Sequence, residues 1–183
     1  MVLEIEQGSS LVEMVGFLKV NEKYIEETDF WSLILQGLLM LKEFSNFGVI
    51  NCKMDPWCLT WTEEKKLSYF PSSFSGIDSK EAVNIKGNIY TPDTDIEKRE
   101  FPHSNVFNLG ILGLILLKPD NRFFNAKTKK LDYDELKAAM SKEEDLVGPD
   151  DNEAFSKELN GLIRDMLIYD AADRPSVGML NFM

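Results

Sequence analysis

The sequence predicts a mainly helical domain with one small β-hairpin, and three patterns lead to that fold class. Residues 30–44 and 106–117 are apolar on nearly all sides, which is typical of helices buried on most of their faces. Residues 153–168 repeat apolar side chains at helical spacing, with charged side chains between them. Residues 57–70 alternate apolar and polar side chains around a polar turn, which indicates a hairpin.

The first apolar helix is expected to run from Phe30 to about Phe44. Thr28 or Asp29 can cap it, because a side-chain oxygen there accepts a backbone N–H that the first turn leaves unpaired. A helix this apolar should be buried on most sides. Its expected core residues include Leu35, Leu38, Leu39 and Leu41.

The second apolar helix, from Val106 to about Leu117, carries almost no charge and is expected at the centre of the fold. Ser104 is its expected cap. A weaker amphipathic helix is expected around residues 133–140. Near the C-terminus, Pro175 permits a final short helix, because proline is tolerated where a helix begins.

Turn and loop residues separate these elements. Residues 62–65 are a polar turn between the two expected strands of the hairpin, and Gly8-Ser9-Ser10 predicts an earlier turn. Residues 71–103 carry Ser, Gly, Pro and Asp throughout and are expected to form a long loop. A loop of that length inside a compact domain is uncommon and usually has a function.

Composition and charge exclude several classes of partner. The formal net charge of −11 and the pI of about 4.6 would repel nucleic-acid backbones and anionic membrane surfaces. No apolar run in the sequence reaches the length of a membrane span. Cys52 and Cys58 do not form a disulfide framework, so a reducing, cytoplasmic setting is the expectation.

Four segments, taken in order, resemble the large C-terminal lobe of protein kinases. Residues 166–176 read MLIYDAADRPS and are similar to the family pattern M-L-x-x-D-P-x-x-R-P-S, with Ala171 in place of the first proline. Residues 104–110 are similar to the start of the family's central helix. Residues 1–11 look like the hinge between the two lobes, and residues 48–50 precede the place of the catalytic loop. The resemblance covers residues 1–183 and implies one kinase-like large-lobe domain without the small N-terminal lobe.

The same resemblance implies that the chain is not an enzyme. Residues 51–58 align with the family's catalytic loop, in which Lys53 takes the place of the catalytic aspartate and Cys58 that of the magnesium-binding asparagine. An ammonium cannot accept the hydroxyl proton, and a neutral thiol is a poor ligand for Mg²⁺. Pro71 stands where the family's metal-binding aspartate should be. No catalytic, cofactor-binding or metal-binding residue is therefore expected, and ATP is an unlikely ligand.

The resemblance also assigns structural roles. Residues 71–93 are similar to a degenerate activation segment, and in the family the acid at its end pairs with the arginine of the R-P motif. By analogy, we expect a salt bridge between Asp93 and Arg174. Asn105 takes the place of an aspartate that accepts N–H bonds from the catalytic loop; an amide oxygen can still accept them, without charge assistance.

Other side chains capable of chemistry have ordinary explanations. Asp55 lies two positions from the catalytic place and is expected to be a solvated loop acid. His103, the single histidine, is expected in a loop without a catalytic partner. Cys52 and Cys58 lack further ligands at zinc spacing and are expected to be buried thiols.

The sequence thus favours a catalytically inactive scaffold or structural subunit of a larger assembly. Without a small lobe, an apolar face near Leu3, Ile5 and the hairpin would be left bare, and a protein partner is expected there. One alternative is a nucleotide-binding regulator, because Leu59 keeps the apolar character expected beneath an adenine. Another is an active kinase completed by a small lobe from upstream sequence or a second chain.

Overall fold

The computed structural model describes residues 9–47, 54, 56, 58–69, 101–119, 121–125, 130–142, 144, 146–147 and 155–180. This part of the chain is mainly helical with a small three-stranded antiparallel sheet, as the sequence predicts at the level of fold class. Its helices are α1 (Leu11–Val20), α2 (Glu27–Asn46), α3 (Phe101–Leu117), α4 (Tyr133–Ser141), α5 (Lys157–Met166) and α6 (Val177–Leu180). Its strands are β1 (Ser9–Ser10), β2 (Leu59–Trp61), β3 (Leu67–Tyr69), β4 (Phe124–Asn125) and β5 (Lys130–Leu131).

Helix α3 is the centre of the core, as its lack of charge predicts. Every side chain from residue 104 to 117 is buried, and the helix packs against α2, α5 and α6. It begins at Phe101, earlier than expected, so Ser104 lies inside the helix and does not cap it. Pro102 is tolerated in the first turn, because a backbone N–H at that position would have no acceptor within the helix.

Helix α2 is longer than the expected segment and begins at Glu27, so Thr28 and Asp29 are not its caps. Asp29 instead forms an ion pair with Lys65 in the hairpin turn. Leu38 and Leu41 are buried as expected, but Leu35 and Leu39 are 47% and 55% exposed. The expectation of core positions for these two was wrong. Hydrophobicity alone does not show which face of an apolar helix its neighbours cover.

The expected hairpin is present as β2 and β3, with Leu59 opposite Tyr69 and Trp61 opposite Leu67. It is not alone, however, because β1 pairs with the outer edge of β2 and makes a three-stranded sheet. The turn expected at Gly8-Ser9-Ser10 is therefore wrong for its last two residues. A second, unexpected pair joins β4 and β5.

Two side chains fix the sheet to the helices around it. Ser10 caps α1 in a reciprocal capping box with Glu13, and the hydrogen bonds donated by Ser10 lower the pKa of the Glu13 carboxyl. Gln36 in α2 reaches the hairpin turn. Its amide donates to the carbonyl of Lys65 at 2.8 Å, and its oxygen accepts the N–H of Leu67 at 2.9 Å. The hairpin register is thereby tied to α2.

The C-terminal helices lie near their predicted positions, but α5 (Lys157–Met166) is shorter than the expected segment 153–168, and Phe155 precedes it. Asp132 caps α4 and Ser156 caps α5, each accepting the backbone N–H three residues on. Helix α5 buries its apolar side on α3, as the spacing predicts. Its charged side is only partly exposed, because Arg164 donates to the backbone carbonyls of Glu144 and Met140. The short α6 follows Pro175. In the described residues, no helix has both the length and the apolar character to cross a membrane.

Candidate functional site

The predicted catalytic-loop region is only partly within the described residues. Lys53, Asp55 and Cys52 lie outside them, as do Pro71 and the whole of residues 71–93. Cys58 is described, and its thiol-bearing side chain is 4% exposed. It precedes β2, where Leu59 is fully buried in the main core.

Arg174 is buried and donates hydrogen bonds to three backbone carbonyls. Its side chain is only 2% exposed. Its Nε donates a hydrogen bond to the carbonyl oxygen of Ile168 at 2.8 Å. One terminal nitrogen donates to the carbonyl oxygen of His103 at 2.8 Å, and the other donates to that of Tyr169 at 3.0 Å. The guanidinium also lies over the ring of Phe107, 4.7 Å from its centroid. We call this set the Arg174 anchor.

His103 completes the Arg174 anchor. The expectation that His103 lies in a loop is wrong. His103 lies in the first turn of α3, and its Nδ1 is 2.8 Å from the carbonyl oxygen of Arg174. Because a carbonyl oxygen only accepts, Nδ1 must carry the proton. The two residues therefore exchange hydrogen bonds in both directions, and this joins the beginning of α3 to the segment between α5 and α6.

Two expected polar contacts involve partners that lie wholly or mostly outside the described residues. Asp93, the expected salt-bridge partner of Arg174, lies outside the described residues, so that pairing stays a prediction. Asn105 is buried on α3, at 6% exposed. Most of the catalytic loop that it is expected to bind also lies outside the described residues.

Glu27 makes a second cross-link, one that the sequence did not indicate. Its carboxylate accepts hydrogen bonds from the backbone and hydroxyl of Ser156 and, at 3.0 Å, from the indole of Trp31. Partial burial by itself raises the pKa of Glu27, but these hydrogen bonds outweigh it and lower the pKa below its ordinary 4.5. The first turn of α2 is thus joined to the cap of α5.

A pocket of about 250 Å³ lies between α3, α4 and residues 167–169. Its lining includes Phe107, Tyr133, Leu136, Lys137, Met140 and Tyr169. We call it the α4 pocket. No sequence pattern indicates this pocket, because its residues are spread over more than sixty positions and only the tertiary fold brings them together.

The apolar face expected near Leu3, Ile5 and the hairpin is only partly within the described residues, and its expectation stays a prediction there. Leu3 and Ile5 are outside the described residues, while Trp61 and Tyr69 of the hairpin are half-buried and pack against the core. Large exposed apolar side chains occur on the helices and at their ends: Phe17, Val20, Leu35, Leu39, Phe47, Tyr169 and Met179. Phe17 and Val20, at 58% and 83% exposed, lie one turn apart on α1.

Comparison with known proteins leaves the class open. No protein-family model matches the chain, and no curated protein matches it either. Among the described residues, no group of three or more His, Cys, Asp or Glu side chains could hold a metal ion.

Proposed function

We propose that this protein is a catalytically inactive, protein-kinase-like large-lobe domain that acts as a scaffold or structural subunit of a larger protein assembly. The Arg174 anchor is the observation that carries the proposal. The arginine of the R-P motif in residues 166–176 is buried and fastens the final helices to the central helix. The resemblance implies a structural role for this arginine through a salt bridge with Asp93, and the hydrogen bonds that it donates add a second structural role. A cytoplasmic location belongs to the same proposal.

The chemistry of the replaced side chains supports inactivity. Lys53, Cys58 and Pro71 stand at positions where the family pattern has two carboxylates and an amide. Cys58 is buried beside Leu59, and sulfur is a soft ligand that Mg²⁺ does not favour. Restoring transfer would require changes at all three positions.

Exposed apolar side chains support an interaction role. Contiguous apolar surface on a soluble domain usually marks a partner site. Phe17 and Val20 project from α1 on one side, and Leu35 and Leu39 project one turn apart from α2. These side chains, rather than the hairpin, are the partner surfaces that we now propose.

A phosphoryl-transfer assay tests the proposal directly. The purified chain is incubated with labelled ATP, Mg²⁺ or Mn²⁺, and one acidic and one basic protein substrate. We expect no label transfer above that of Lys53→Ala, and no shift in melting temperature with millimolar ATP and Mg²⁺. Transfer that disappears in the Lys53→Ala variant would overturn the proposal. A nucleotide-dependent rise in melting temperature without transfer would favour the nucleotide-binding regulator.

A further inference from the structure

The lining of the α4 pocket is mainly apolar and aromatic. Phe107, Leu136 and Leu167 belong to it and are at most 3% exposed. Tyr133 and Tyr169 stand edge to face, with their centroids 6.4 Å apart and their planes at 89°. Such rings offer both a face and an edge to an entering apolar group.

The volume of the α4 pocket limits what it can hold. Pockets for drug-sized ligands and cofactors measure about 300 to 1,000 Å³. At about 250 Å³, this pocket accommodates a single side chain or a small ring, but not a dinucleotide or a long acyl chain. A protruding side chain of another protein fits these dimensions.

One cation stands at the mouth of the α4 pocket. Lys137 is the only charged side chain among the described residues that line it. Its Nζ lies over the ring of Tyr169, 5.3 Å from the centroid. In the described part of the chain Lys137 forms no ion pair, and its side chain is exposed.

Resting on the interaction role given above, we propose that the α4 pocket binds a partner-protein segment in which an aromatic or branched apolar side chain adjoins a carboxylate. The apolar side chain enters between Tyr133 and Tyr169 and packs on Leu136. The carboxylate pairs with the ammonium of Lys137. The apolar contact supplies affinity, and the charge pair sets the direction in which the segment lies.

A titration of the full chain followed by NMR tests this pocket, using small probes with the proposed chemistry. N-acetyl-phenylalanine carries the ring and the carboxylate, its amide carries the ring alone, and decanoate represents a lipid. We expect saturable shifts of the Leu136, Met140 and Leu167 methyl signals with N-acetyl-phenylalanine, and a dissociation constant on the order of 1 mM. The amide should bind more weakly.

Lys137→Met keeps the apolar stem of the side chain and removes the charge. It should lower the affinity for N-acetyl-phenylalanine by about two- to fivefold, which is the contribution of one exposed ion pair. The affinity for the amide should not change. Lys142→Met, a change to an exposed lysine at the end of the same helix, is the matched control and should have no effect. Equal effects of the two variants, non-saturating shifts, or binding of decanoate alone would each overturn the assignment.

These outcomes are distinct from those of the transfer assay. If the pocket binds no probe, the proposed partner site is wrong, but the proposal of an inactive scaffold still stands. If the purified chain transfers phosphate, the proposal of an inactive scaffold is wrong, whether or not the probes bind.

Discussion

At the scale of single residues, the hydrogen bonds of the buried Arg174 are expected to stabilise the fold. Arg174→Met would leave three backbone carbonyls without their donor in a buried place. We expect a loss of about 3 to 5 kcal/mol in the free energy of unfolding, measured by urea denaturation followed by circular dichroism.

The control for Arg174 is Arg122, whose side chain is 56% exposed and pairs with Glu135 and Glu144. Arg122→Met should cost less than about 1 kcal/mol, because surface ion pairs contribute little. Equal losses in the two variants would show that burial of the Arg174 anchor does not stabilise the fold.

Glu27 predicts a pH dependence of stability. Its pKa in the folded protein lies below the ordinary 4.5, so the unfolded chain binds its proton more readily. The stabilisation is therefore fully present above about pH 4.5 and is lost as the pH falls through the folded-state pKa. Glu27→Gln should cost about 1 to 2 kcal/mol at pH 7 and markedly less at pH 3.

Unfolding curves at the two pH values measure the effect of Glu27→Gln. Glu43→Gln, a change to an exposed side chain on the same helix, should alter the free energy of unfolding by less than about 0.5 kcal/mol at either pH. A Glu27→Gln loss that is the same at pH 3 and pH 7 contradicts the assigned hydrogen bonds.

At the scale of elements, the close packing of α3 depends on glycine at its contact with α5. A Cβ added at Gly113 would lie 2.6 Å from Cδ1 of Ile163 and 3.1 Å from Cζ of Phe30. Both neighbours are fully buried, so neither side chain has free space to move into. The helices approach closely because this position has no side chain.

Gly113→Ala should therefore destabilise the protein by about 1 to 3 kcal/mol, despite the higher helix propensity of alanine. Gly161→Ala in α5 is the matched control, because nothing lies within 4 Å of an added Cβ there. It should stabilise by about 0.5 to 1 kcal/mol. Thermal unfolding of both variants checks the pair, and two changes of the same sign would contradict the packing.

At the scale of the whole molecule, the exposed side chains of α1 predict how the purified chain behaves. Replacing Phe17 and Val20 together by glutamine should change the free energy of unfolding by less than about 1 kcal/mol, since both are largely exposed. The same variant should reduce self-association in light scattering and the binding of a hydrophobic dye.

Leu18→Gln provides the contrast on the same helix, because Leu18 is 7% exposed. It should destabilise the fold by several times more than the double change at Phe17 and Val20. A wild-type chain that is monomeric and binds no dye would argue against the interaction role.

Local patterns determined much of the helical architecture. The amphipathic spacing of α5 predicts burial on one side, and the lack of charge in α3 predicts burial on nearly all sides. Both follow because the apolar part of a helix surface is the part that packs against the core. The hairpin was equally predictable from alternation between residues 57 and 70. The resemblance under which Lys53, Cys58 and Pro71 would take the places of reactive side chains also comes from the sequence alone, and the proposal of inactivity rests on it.

Contacts between distant residues were decided only by the tertiary structure. Ser9 and Ser10 pair with β2 across some fifty residues, and Glu27 meets Ser156 across more than a hundred. Leu35 and Leu39 are as apolar as Leu38 and Leu41, yet no neighbour among the described residues covers them fully. Residue type determines which side chains favour burial, whereas the placement of the other elements determines which surface is covered.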